Sequence, residues 1–238
     1  MGEFNFLIWL GEKIGFLSWI TPSTIHIASA GLVAVTLILF GAIAHQKLKK
    51  TEKCVVPSSK FTVAGLFDAA GEAIVKFIES MMGDQAIKFL PLIGTLFLYI
   101  FFCNLLSLIP GFIPPTDNTN TNLPCALVVF FYYHFVGIKE HGLFKYLKHM
   151  AGPIIWLAPI LFVIEMISHC VRPISLSVRL FGNITGDHMV LGMFSGLIPE
   201  FVPVIFLFLA LFVAFIQAFV FSLLSTVYIA LAAEHEEH

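Results

Sequence analysis

With 238 residues, 58% of them hydrophobic and only 12% charged, the chain falls well below the roughly 25% charged content of soluble domains and reads as a polytopic membrane protein. The formal net charge of -2 says little about partners, because the charges are clustered, but there is no basic tract suited to nucleic acid. The four cysteines, Cys54, Cys103, Cys125 and Cys170, contain no CxxC pair and read as small buried hydrophobes, so neither a metal nor a cofactor is expected.

The first six residues lack the basic n-region of a signal peptide, and Phe6 breaks the myristoylation pattern, so insertion is expected from the first span itself. A spanning helix needs about 20 mostly apolar residues. The first such run covers 25–45 and ends in a basic cluster, Lys47 to Lys53. Over 62–82 the apolar residues Val63, Leu66, Phe67, Ala70, Ile74, Phe77, Ile78 and Met81 recur at helical spacing, with Asp68, Glu72, Lys76 and Glu79 between them. That pattern predicts an amphipathic helix lying on the membrane or against a partner. The second span is predicted over 89–109, the third over 123–138. Between them runs a loop rich in Pro and Asn without Lys or Arg, and after the third comes another basic segment, Lys139 to His149. The remaining apolar stretch, broken by Pro199 and Pro203, divides into two long helices, 152–198 and 203–233. The expected architecture is thus all-α: one integral membrane domain over 1–238, with about five membrane-embedded helices and one interfacial helix. By the positive-inside rule both basic segments belong in the cytoplasm, which puts the N-terminus outside and the acidic tail, Glu234 to His238, inside.

Arg179 lies within the fourth apolar run. A guanidinium is not deprotonated in proteins, so burial cannot neutralise it. A fixed charge at bilayer depth costs about 2.5–3.5 kcal/mol on insertion scales, and an intramembrane ionisable residue reads by default as part of an ion or proton pathway. Glu165, Arg172 and Arg179 are spaced seven and seven residues apart and fall near one helical stripe, which Asn183 joins four residues later. Glu165 sits about 21 Å along the axis on one side of Arg179; Asp187 and His188 lie on the other. Titratable groups on both sides of a permanent cation imply two half-pathways that do not meet. A proton passes only on a partner carboxylate that moves past the barrier.

Each residue also has a plainer reading. Arg172 pairs with Glu165 or snorkels; Asp187 and His188 end the helix near the interface; Gln217 is interhelical hydrogen-bond glue. Gly182 with Gly186, and Gly192 with Gly196, match a close-packing GxxxG pattern. The His/Glu tail reads as a solvated end.

The run Arg172-Pro173-Ile174-Ser175-Leu176-Ser177-Val178-Arg179-Leu180-Phe181-Gly182-Asn183, followed by Gly186, resembles subunit a of the bacterial F-type (rotary) ATP synthase membrane sector. Gln217-Ala218-Phe219-Val220-Phe221 with Val227-Tyr228 is similar to that family's last helix, and Asn104-Leu105-Leu106 with Ile109-Pro110-Gly111 to the end of its second span. The resemblance implies a stator in the plasma (inner) membrane whose Arg179 faces a ring of c subunits. It further implies that Asn183, His188 and Gln217 line the outer half-channel and that Glu165 serves the cytoplasmic one. The last two helices would lie tilted along the ring, and the amphipathic helix near the peripheral-stalk b subunits. The implied ion is H⁺, with Na⁺ left open because the c-subunit site sets the choice. In family members with His at the His188 position, Glu often stands seven residues before the last-helix Gln. Here that position is Ala210, and Asp187 or Glu200 is the carboxylate candidate in its place.

No P-loop is present, so the chain is not expected to touch nucleotide or to be an enzyme by itself. A secondary cation/proton transporter also places ionisable residues at mid-membrane, but usually shows internal repeats with paired broken helices, and no repeat is found. A purely structural scaffold does not need Arg179.

Overall fold

Among the described residues five helices are long and apolar enough to cross a bilayer and no β-strand occurs: the chain is an all-α, multi-pass membrane protein. The computed structural model describes residues 6–13, 20–50, 72, 75, 76, 79, 80, 86–109, 111–150, 156–195 and 202–233. Of the amphipathic helix expected over 62–82, residues 72, 75, 76, 79 and 80 are described and helical. There Lys76 Nζ pairs with Glu72 at 2.7 Å, and the bond to Lys76 holds the Glu72 carboxyl below its ordinary range. The rest of that segment lies outside the described residues, as do Cys54, Glu200 and the tail from 234 to 238.

The chain divides into two compact units, Met1–Pro114 and Pro115–His238. The first holds α1 (Phe6–Lys13), α2 (Ile25–Lys50) and α3 (Ala86–Leu105), the last continued by a 3-10 turn at Leu106–Leu108. Thr24 opens α2: its Oγ1 accepts from the Thr21 N–H at 2.9 Å, which fixes the turn before the helix. Val33 on α2 packs on Cys103 and Leu106, so α2 and α3 bury one seam against each other. Leu7 and Ile20 close the end of this unit around Ile25.

The second unit carries the site. It consists of a 3-10 turn (Pro115–Asp117), α4 (Thr119–His141), α5 (Leu143–Met150), α6 (Ala158–Ser195) and α7 (Val202–Ala233). Asn118 caps α4, its side chain accepting from the Asn120 N–H at 2.9 Å. Gly142 ends it at φ 77°, a conformation that favours glycine, with its N–H on the Ile138 carbonyl. That turn starts α5 immediately, so the basic segment 139–149 is divided between the last turn of α4 and the short helix α5.

α4 packs on both α6 and α7. Its buried residues Ala126, Val129, Tyr133 and Val136 follow helical spacing. Leu176, Leu180 and Ile184 form the matching buried stripe of α6, and Ala214, Ala218, Phe221 and Ile229 that of α7. The small Ala214 and Ala218 let helix backbones approach closely, the usual device where lipid removes the hydrophobic drive between helices. Two buried hydroxyls on α7 bond to their own helix: Ser225 Oγ donates to the Phe221 carbonyl and Thr226 Oγ1 to the Ser222 carbonyl, each at 2.8 Å. Pro173 lacks the N–H that would bond the His169 carbonyl, yet α6 stays helical through it. Cys103, Cys125 and Cys170 are unbridged. Cys103 is buried, but Cys170 is exposed on α6, against the expectation of a buried hydrophobe.

Candidate functional site

Arg179 stands near the middle of α6, one residue before the buried Leu180, and its side chain is exposed. By helical phase Val171, Ser175, Gly182, Val190 and Met193 share its face, and all five are exposed too. The guanidinium therefore projects from a largely apolar or small-residue face of α6, which the exposed Asn183 joins one turn later. Among the described residues no side chain pairs with it.

The helix presents different chemistry on the two sides of Arg179. On the C-terminal side, α6 and α7 enclose a cleft of about 360 Å³ lined by Gly182, Asn183, Gly186, Asp187, Val213, Ile216 and Gln217. Asn183 Nδ2 donates to Gln217 Oε1, joining residues 34 apart in sequence. Gln217 is 3% exposed, so its amide depends on this partner. Asp187 lines the cleft, whereas His188 is half-buried on the next position around the helix. Ala210, seven residues before Gln217, is also half-buried. A Cβ added at Gly182 or Gly186 meets nothing within 4 Å, so this GxxxG pair does not serve close packing inside the unit, as the plainer reading held. A further carboxylate, unexpected from the sequence, lies on this side: Thr185 Oγ1 donates to Asp117 Oδ1 at 2.9 Å. The turn bearing Asp117 is pinned by Asn122, whose Nδ2 donates to the Thr116 carbonyl at 2.8 Å.

On the N-terminal side lies an aromatic and charged cluster built from four helices. Glu165 Oε1 stands 3.2 Å from His169 Nε2 and 3.7 Å from Arg172 Nη2. His169 Nδ1 lies 2.7 Å from the Tyr133 hydroxyl on α4. Arg172 is held over the Tyr228 ring of α7 at 4.8 Å and near the Tyr133 ring at 6.0 Å, an arrangement a planar guanidinium makes readily. Next to Tyr133, His134 Nδ1 meets the Tyr146 hydroxyl of α5 at 2.7 Å. Burial pushes the Tyr146 phenol above its ordinary range, with Arg172 opposing and Glu165 assisting, so it stays protonated at neutral pH.

The structure thus brings Asn183, Asp187 and Gln217 together in one place and Glu165 with Arg172 in another, with Arg179 between them along α6. His169, Tyr133, His134, Tyr146 and Asp117 were not singled out from the sequence. For His169 a signal existed: it lies four residues after Glu165 and three before Arg172, on one helical face. Tyr133 and His134 sit in an aromatic run indistinguishable from lipid-facing helix.

Residues 26–230 match the family model described as ATP synthase A chain. The chain is 44% identical over 211 residues to ATP synthase subunit a of Bdellovibrio bacteriovorus, covering 89% of this chain and 92% of that one. To the protein of the same name in Trichlorobacter lovleyi it is 44% identical over 225 residues, 94% of each chain. To that of Geobacter sulfurreducens it is 43% identical over 213 residues, 86% of this chain and 89% of the other. A match of this extent, reaching across the helices that carry Arg179, Asn183 and Gln217, means that the chain belongs to the ATP synthase A chain family.

Proposed function

We propose that this chain is the stator subunit of a rotary ATP synthase membrane sector, with Arg179 as the electrostatic barrier between two proton half-pathways. The observation that carries the reading is the exposed Arg179 side chain near the middle of α6, with polar sites of different make on either side. The cleft with Asn183, Asp187 and Gln217 serves the outer half-pathway, with His188 beside it. Glu165 serves the cytoplasmic one. Arg172 holds Glu165 in place. The apolar face around Arg179 meets a ring of c subunits, and peripheral-stalk b subunits anchor the chain against rotation. The N-terminus is outside and the C-terminus cytoplasmic.

The electrostatics support such a motor. An opposite charge within about 4–6 Å favours an ionised carboxylate, so a rotor carboxyl approaching Arg179 gives up its proton there. It regains one from the other half-pathway once it has moved away. A bare guanidinium repels a proton travelling alone, which prevents a short circuit. Each proton crossing yields about 2.3 kcal/mol per 100 mV, too little for one step to make ATP, so rotation sums several. Open space at Gly182 and Gly186 supports close approach of a rotor helix. At about 57 Å, the 38-residue α6 exceeds a hydrocarbon core of about 30 Å, which fits an oblique course along a ring. The chain itself is read as non-enzymatic.

The test is Arg179→Ala in inverted membrane vesicles holding the whole complex. ATP-driven proton pumping is expected to fall to background while the subunits still co-purify. Pumping at the normal rate overturns the reading.

A further inference from the structure

His169 differs from an ordinary buried histidine because both ring nitrogens are engaged, by groups on different helices. Nε2 faces Glu165 Oε1 at 3.2 Å and Nδ1 faces the Tyr133 hydroxyl at 2.7 Å. The His169 residue is 8% exposed, while the Glu165 side chain remains 41% exposed. The pair thus joins an accessible carboxylate to a shielded imidazole. The charged and titratable groups facing His169 are Glu165 and Arg172 on its own helix, Tyr133 and His134 on α4, with Tyr146 behind His134 on α5 and Tyr228 of α7 against Arg172.

Resting on the stator reading, we propose that His169 is the proton-holding group of the cytoplasmic half-pathway, exchanging one proton with Glu165 through Nε2 while the Tyr133 hydroxyl fixes the tautomer at Nδ1. The step uses the tautomer in which Nδ1–H donates to the Tyr133 oxygen, so that the Nε2 lone pair can accept from a protonated Glu165. A proton picked up by the Glu165 carboxylate moves to Nε2. The products are an imidazolium and a carboxylate that still accept and donate one hydrogen bond between them. Release reverses the step, and no other group changes state. The imidazole thus adds a second, shielded proton acceptor within hydrogen-bond reach of the more accessible carboxylate, which is the geometry a proton relay needs.

The experiment uses the complete complex in inverted vesicles, where the cytoplasmic side faces the medium. ATP-driven pumping is followed as the medium pH is varied from about 5 to 8. His169→Gln keeps an amide for one of the two hydrogen bonds but carries no proton. It is expected to slow pumping at least about tenfold above neutral pH and to erase the inflection in the profile. Tyr133→Phe keeps the imidazole and is expected to retain most of the rate while moving the inflection. A His169→Gln profile equal to wild type overturns the proposal. So does a uniform loss at every pH with the inflection kept, which marks a structural role. Where His169→Gln fails to assemble, Tyr133→Phe decides: a moved inflection supports the proposal and an unmoved one overturns it. Arg179→Ala, run alongside, separates the two readings. Normal pumping by that variant removes the stator reading itself, whereas its loss beside an unchanged His169→Gln profile removes only the role of His169.

Discussion

The two ends of α6 around Arg179 use opposite materials. Toward the N-terminus the polar groups are rings and charges packed by helices α4, α5 and α7, with distances of 2.7–3.7 Å linking Glu165, His169, Tyr133 and Arg172. Toward the C-terminus there is an amide pair, a half-buried aspartate and two glycines around a cleft of about 360 Å³, bounded by α6 and α7. One end is solid and wired through side chains; the other is open, with room for several waters between fixed dipoles. Protein interiors are close-packed, so a substitution in the solid end is felt as strain. In the open end the same change leaves the fold intact and shows only in what must pass by or dock there.

The sharpest way to break that contrast is to fill the open end. A Cβ at Gly182 meets nothing within 4 Å, and leucine is a better helix former than glycine by up to about 1 kcal/mol. Gly182→Leu is therefore expected to leave the thermal stability of the chain unchanged or slightly raised. It sits one turn from Arg179 on the face assigned to the rotor, so pumping in vesicles is expected to vanish. Normal pumping means that nothing approaches this face closely.

The solid end predicts the converse. At Gly137 an added Cβ lies 2.5 Å from Cε2 of the Tyr146 ring, so the ring must shift and with it the hydroxyl bonded to His134. Gly137→Ala is expected to cost about 1–3 kcal/mol, the range for overpacking a filled site. Thermal denaturation of the purified complex measures it, and no change in midpoint shows that α5 moves freely on α4. Pumping is expected to fall less than with Gly182→Leu, because the cation itself stays in place.

Much of the fold and part of the site were readable before any geometry. Long apolar runs mark spans because lipid leaves few alternatives to a helix, and Arg179 is conspicuous because its charge cannot be neutralised. Asn183 and Gln217 were identifiable singly, although their hydrogen bond across 34 residues was not. The aromatic cluster was hidden for a different reason. Tyr133 and His134 gain meaning only from residues 36 and 12 positions away, His169 and Tyr146. Nothing local separates such a ring from one facing lipid. The basic segment 139–149 carried no predicted secondary structure, because a helix of eight residues is too short to show a sustained period, and Tyr146 bonds backward to α4.

The smallest effect is expected where the open end meets the turn at 115–117. Thr185 Oγ1 donates to Asp117 Oδ1, and both residues are half-buried. Thr185→Val keeps the shape and removes the donor. A hydrogen bond to a charged acceptor contributes about 1.5–3 kcal/mol in general, but partial exposure lets water replace much of it, so a loss of about 1 kcal/mol is expected. For a chain of this size that corresponds to a fall of roughly 2–4 °C in the denaturation midpoint. Thr185→Ser retains the hydroxyl and is expected to recover the difference. A Val variant as stable as wild type, with Ser also unchanged, means that Asp117 is held by its own turn, through Asn122 and the Thr116 carbonyl. The carboxylate then stays in place without α6, and its position on the cleft side does not depend on the helix that carries Arg179.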